Sequence, residues 1–92
     1  MKEKQLSIHA LETSINEAKK DKTKFFGVKI RMIGMEEPEV IINPSTNFDE
    51  KLKYYKTAYN EDLTLKANNS IKIVDFTYGN TFSSIENDLL KI

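Results

Sequence analysis

The sequence predicts a small α+β domain of order α-β-β-α-β-α, a three-stranded sheet made of a hairpin plus one later strand, covered by helices. Three observations carry that prediction. Apolar residues recur at helical spacing in "LSIHALETSINEAKK" and again from Phe48 onward. Between these stripes, "KFFGVKIRM" and "EVIIN" flank a loop holding Gly34 and Pro38, the pattern of a β-hairpin. A third β-branched and aromatic run, "IKIVDFTY", follows the second helical stripe.

The first helix is expected over 5–20, because Ile8, Leu11, Ile15 and Ala18 fall on one stripe and Lys19, Lys20, Lys22 and Lys24 cluster where positive charge complements a helix C-terminus. Residues 1–5 are expected to fray. Strand one is placed at 25–33, with Phe26, Val28, Ile30 and Met32 facing one way and Phe25, Lys29 and Arg31 the other. Strand two is placed at 39–43 and stops at Pro44, which has no amide proton for a ladder. Either Asn47 with Glu50 or Thr46 with Asp49 resembles a capping box for the second helix. Phe48, Leu52, Tyr55, Tyr59 and Leu63 then extend that helix to about residue 66, with Ala58 and Leu65 widening its apolar face. The turn cluster "ANNS" precedes strand three at 71–78, where Val74, Phe76 and Tyr78 form one face and Ile71 and Ile73 begin the other. A helical crossover of this length permits parallel pairing of strand three with either earlier strand. Phe82, Ile85, Leu89 and Ile92 make a third helical stripe.

A chain of 92 residues with four tyrosines, five phenylalanines and a net charge of zero forms one domain, 1–92, with an ordinary charged surface. Without cysteine there is no disulfide frame, thiol nucleophile or thiolate metal site. No apolar block of signal-peptide length opens the chain, so a cytoplasmic protein is expected. The preference for Lys, Ile and Asn over Arg, Ala and Gly points to an AT-rich genome, as in a low-GC bacterium or its phages.

The stretch "TYGNTFSS" has one glycine and lacks the lysine of a phosphate-binding loop. It reads instead as a strand end, a Gly79 in a conformation closed to other residues, and a helix capped by Thr81 or Ser83, with Glu86 three residues after Ser83. His9 is the lone histidine and lies off the first stripe, as a solvated residue. Asp75, an acid within an apolar strand, is expected to face solvent. An enzyme would have to gather Asp75, Tyr78, Thr81 and His9; no catalytic motif, metal ligand set or cofactor site emerges, and no enzymatic activity is expected.

Two binding readings remain. Glu36 and Glu37 in the hairpin loop, together with Tyr54, displaced from its helix's apolar stripe, are candidate contacts for a protein partner or a second copy of the chain. The segment from Lys19 to Arg31 carries six cations (Lys19, Lys20, Lys22, Lys24, Lys29 and Arg31) against Asp21 alone, with Phe25 and Phe26 between them, as a nucleic-acid surface would. Overall neutrality favours the protein reading. As a set, "GVKIRM", "PEVIINP" followed by "NFDEKLKYYKTAY", and "IKIVDFTYG" resemble small uncharacterised proteins of phages and prophages of low-GC Gram-positive bacteria. That resemblance implies an accessory protein that modulates a host or phage protein, for example a defence inhibitor, and it assigns no residue a role.

Overall fold

The computed structural model describes residues 6–90; the expected fraying of 1–5 and the place of Ile92 on the last stripe lie outside them. Helix α1 (Ile8–Lys20) is followed by strands β1 (Phe25–Met32) and β2 (Glu39–Pro44), helix α2 (Phe48–Ala58), strands β3 (Thr64–Leu65) and β4 (Asn68–Gly79), and helix α3 (Phe82–Leu89). The sheet has four strands, not three, in the order β2-β1-β4-β3. Every pairing in it is antiparallel, so the parallel option for the strand after the crossover is not taken.

The difference arises where the second helix stops. Helix α2 ends at Ala58, eight residues short of the expected limit, and Tyr59 turns to extended backbone and bridges to Leu65. Asp62 Oδ1 accepts from both the amide and the hydroxyl of Thr64, and Asn60 Nδ2 donates to Thr64 Oγ1, which closes a turn that competes with the helix. Leu63 within it takes a positive φ of 70° and is nevertheless fully buried. Tyr59 and Leu63 therefore reach the core from a turn, at intervals that only imitate a helix. Strand β3 follows and folds tightly back onto β4, and this reversal is what sets β4 antiparallel to β1.

Capping also differs in part. Ser7 Oγ accepts from the Ala10 amide at the start of α1, and Thr81 Oγ1 accepts from the Ser84 amide at the start of α3. Neither expected capping box forms at α2. The chain enters it through a 3-10 turn, Ser45–Asn47, which holds Asn47 at ψ 1° rather than in the extended conformation a capping side chain requires. Gly79 sits in ordinary strand geometry, since the sole glycine with positive φ is Gly34. What Gly79 provides is space: an added Cβ would stand 2.8 Å from Ser84 Oγ.

Helices α1 and α2 cover one face of the sheet. There Phe26, Val28, Ile73 and Phe76 meet Leu11, Ile15, Ala18, Phe48 and Tyr55 in the main core. Exposed ion pairs, Lys19–Asp49 and Lys56–Glu12 (3.0 Å), join the two helices along their outer surface. Helix α3 lies on the opposite face. Its buried Ile85 and Leu89 pack into the notch left by Gly27, and Phe82 meets the Phe25 ring edge to face at 4.8 Å. A register shift between Lys29 and Ile30 pairs Lys29 with Asp75 but Ile30 with Ile73, leaving Val74 as the extra residue of a bulge. The bulge explains the uneven alternation in β4: Ile73 joins Phe76 and Tyr78 on the core side, where Val74 had been expected.

Candidate protein-binding surface

The β1–β2 connection is built around a turn in which the Met35 amide donates to Met32 O at 3.0 Å, with Gly34 at φ 94° in the position that requires glycine. The Ile33 amide donates to Ser70 O, continuing the β1–β4 ladder one step beyond β1. This geometry turns three large apolar side chains outward at one end of the sheet: Ile33 is 81% exposed, Met35 59% and Met32 38%. Among the described residues the other exposed large apolar side chains, Tyr54, Phe82 and Leu90, sit on or beside helices α2 and α3. Glu36 and Glu37 follow Met35 directly and are exposed with it.

Beside this tip lies an open groove of about 530 Å³. Its lining includes Met32, Met35 and Val74, and its cations are Arg31 and Lys72. Helix α3 packs over the Gly27 end of this sheet face, so the Arg31 end carries the groove. Arg31 and Lys72 are direct partners in the β1–β4 ladder. Like charges so placed repel each other, and among the described residues no ion pair engages either one. The Asp62 carboxylate interacts with Lys72 through its field. Its pKa is lowered first by the Thr64 hydroxyl and amide, and to a lesser degree by the field of Lys72. A second, smaller groove of about 110 Å³, lined by Ile30, Met35, Glu37 and Ile71, meets the tip from the other side of the hairpin.

The residues singled out from sequence are distributed as follows. Glu36 and Glu37 belong to the tip. Tyr54 belongs to a separate aromatic trio on and after α2, with ring centroids 5.6 Å from Tyr55 and 6.1 Å from Tyr59 and with Lys51 Nζ over its ring. Beneath it, burial above all raises the Tyr55 phenol well above its ordinary pKa, and burial raises that of Tyr59 in the same sense. The Tyr55 hydroxyl and Asn43 Nδ2 are both buried without a hydrogen bond of normal geometry.

The six cations do not form one surface. Lys19 pairs with Asp49, and Lys20, Lys22 and Lys24 lie at and after the end of α1, where the Lys24 amide donates to Asn80 Oδ1. Lys29 is half-buried opposite Asp75, and Arg31 stands seven strand residues beyond Lys24, roughly 23 Å away.

The four residues an enzyme would have needed are not gathered either. Thr81 caps α3, His9 is exposed on α1, and the Tyr78 hydroxyl donates to Asp21 Oδ2 at 3.3 Å. Asp75 is half-buried rather than solvent-facing, and its Oδ1 accepts from the Phe76 amide at 2.8 Å. Among the described residues no group of three or more His, Cys, Asp or Glu side chains is placed to hold a metal ion, and no helix is long and apolar enough to cross a membrane.

Sequence reasoning missed Ile33, Met35 and Lys72. The signal for the first two was "MIGM", an apolar run through a glycine where hairpin loops favour polar residues. Lys72 acquires its meaning only from the register that sets it against Arg31. No family model matches the chain, and neither a curated protein nor a solved structure is significantly similar to it.

Proposed function

We propose that this protein is a non-enzymatic binding module that acts through protein–protein contacts made at the β1–β2 hairpin tip and the groove beside it. The observation that carries this reading is the joint exposure of Met32, Ile33 and Met35 at one end of the sheet. Exposed large apolar side chains gathered in one place mark contact surfaces, because leaving them in water forgoes their burial energy. Methionine adds adaptability, since its unbranched thioether fits irregular partners. The resemblance to phage and prophage proteins supports an accessory role in the cytoplasm, modulating a host or phage protein as a defence inhibitor does. A nucleic-acid surface has less support, because its six cations are strung out from the last turn of α1 along β1 to Arg31 and Lys19 is already paired.

The test is a photo-crosslinking residue in place of Met35, with the same residue in place of the exposed Asn87 on α3 as control. The protein is exposed to a low-GC Gram-positive lysate supplemented with mixed-sequence DNA. Protein adducts, the chain itself included, should form at position 35 well above the control. Adducts to nucleic acid alone, or none above control, would overturn the proposal.

A further inference from the structure

We infer that the groove is occupied by a second copy of this chain, docked about a two-fold axis so that Met35, Glu36 and Glu37 of each protomer lie over Arg31 and Lys72 of the other. The inference rests on the protein-contact reading above and names the partner. Three observations carry it.

The first is charge. The groove presents two cations, set directly opposite each other in the ladder and without an ion pair among the described residues. The two repel each other in an isolated chain, and the Asp62 carboxylate, which feels the field of Lys72, offsets part of that repulsion. A carboxylate laid between them converts repulsion into two charge-assisted contacts. The second observation is the chemistry of the tip: it places two carboxylates, Glu36 and Glu37, immediately after the exposed apolar Met35. An apolar anchor followed by acidic groups is the complement of a groove lined by apolar side chains and two cations. The chain thus carries both halves of the contact, in matching number.

The third observation is contiguity. Ile33, Gly34 and Met35 themselves line the groove, so the donor segment and the acceptor site form one patch. A two-fold contact requires this, because the same patch must meet itself. Nucleic acid fits less well, since the two carboxylates that follow the groove-lining Met35 in the chain, Glu36 and Glu37, add negative charge to the tip and repel phosphate.

The test uses the full chain and light scattering after size-exclusion chromatography, run over a wide range of concentration. Wild type should move from one chain mass towards two as concentration rises. Arg31→Glu with Lys72→Glu, and separately Glu36→Lys with Glu37→Lys, should each weaken self-association roughly tenfold or more, through like-charge juxtaposition. An equimolar mixture of the two variants should associate again, because each supplies the charge the other lost. All four positions are at least partly exposed; circular dichroism confirms that each variant is folded, and Met35→Ser provides an uncharged variant that should also weaken the dimer.

A wild-type chain of monomeric mass at every concentration overturns the inference. So does a dimer indifferent to both charge reversals, or a mixture that fails to re-associate. If wild type is monomeric yet position 35 still crosslinks to a different protein, self-association falls and the protein-contact reading stands. If position 35 crosslinks to no protein, both fall.

Discussion

Replacing Gly27 with alanine puts a methyl group into volume already held by α3. An ideal Cβ at that position overlaps Ile85 Cγ2, closer than the 3.0 Å that real Cβ contacts keep, and stands 3.2 Å from Leu89 Cδ1. The leucine methyl is the end of a mobile side chain and yields at little cost. Ile85 Cγ2 is not, because it is bound to a branched Cβ whose χ1 has one favoured setting in a helix, and Ile85 is fully buried. The methyl is therefore accommodated by moving α3 off the sheet. Overpacking of this kind costs about 2 kcal/mol (range roughly 1–3). In a chain of this size that lowers Tm by roughly 8–16 °C. The assay is urea denaturation followed by circular dichroism, applied to Gly27→Ala, Ile85→Ala and the double variant. Ile85→Ala alone costs about 2–5 kcal/mol through lost burial and the cavity it leaves. The double variant should lose less than the sum, since each change fits the space the other needs. Additivity within about 0.5 kcal/mol, or a stability for Gly27→Ala equal to wild type, would refute the account of how α3 seats.

Three further outcomes follow from the same structure. Thr81→Ala removes the side chain that accepts from the Ser84 amide and should cost about 1 kcal/mol, with faster amide exchange through the first turn of α3, whereas Thr81→Ser should stay within a few tenths. Burial raises the pKa of Tyr55 and Tyr59 above the ordinary 10.0, so their neutral forms favour the folded state. Stability should be level with respect to these groups below pH 10 and fall as pH rises beyond it, by up to about 1.4 kcal/mol per pH unit for each tyrosine kept neutral; denaturation midpoints measured against pH check this, and Tyr55→Phe should flatten the slope. Breaking the exposed Lys56–Glu12 pair with Lys56→Ala should change stability by less than about 1 kcal/mol, and the difference should shrink in high salt.

Much of the fold was legible because local spacing and tertiary demand agreed. Ile8, Leu11, Ile15 and Ala18 mark the stripe α1 buries or half-buries, and the alternation around Phe26 and Val28 marks the buried face of β1. Legibility failed where the two parted. Tyr59 and Leu63 keep a helix-like interval while the Asn60–Asp62–Thr64 hydrogen bonds open a turn, and a two-residue strand such as β3 is too short to show a period. Strand pairing direction was hidden for the same reason, since it depends on that missed reversal. At the candidate surface, Glu36 and Glu37 were legible as an exposed acidic loop. The cation pair was not, because Arg31 and Lys72 lie far apart in the chain and become neighbours only through a register that includes a bulge.

Strand β1 sits at the centre of the sheet between one neighbour made early and one made late. Its partner β2 follows within a hairpin, but Val28 also pairs with Phe76, roughly half the chain away. During synthesis the hairpin can close as soon as Pro44 has emerged, while the other edge of β1 finds its first partners only at Ile71 and Lys72 and is not fully paired until the chain reaches Gly79. The nascent chain therefore passes through a stage in which a β-branched hairpin presents an open backbone edge, the condition under which strands from different chains pair wrongly. Closure of that edge demands a long-range loop, which places the sheet among slower-forming topologies. The order of the four strands is in this sense a timetable, and the interval between Pro44 and Gly79 is when the chain most needs protection.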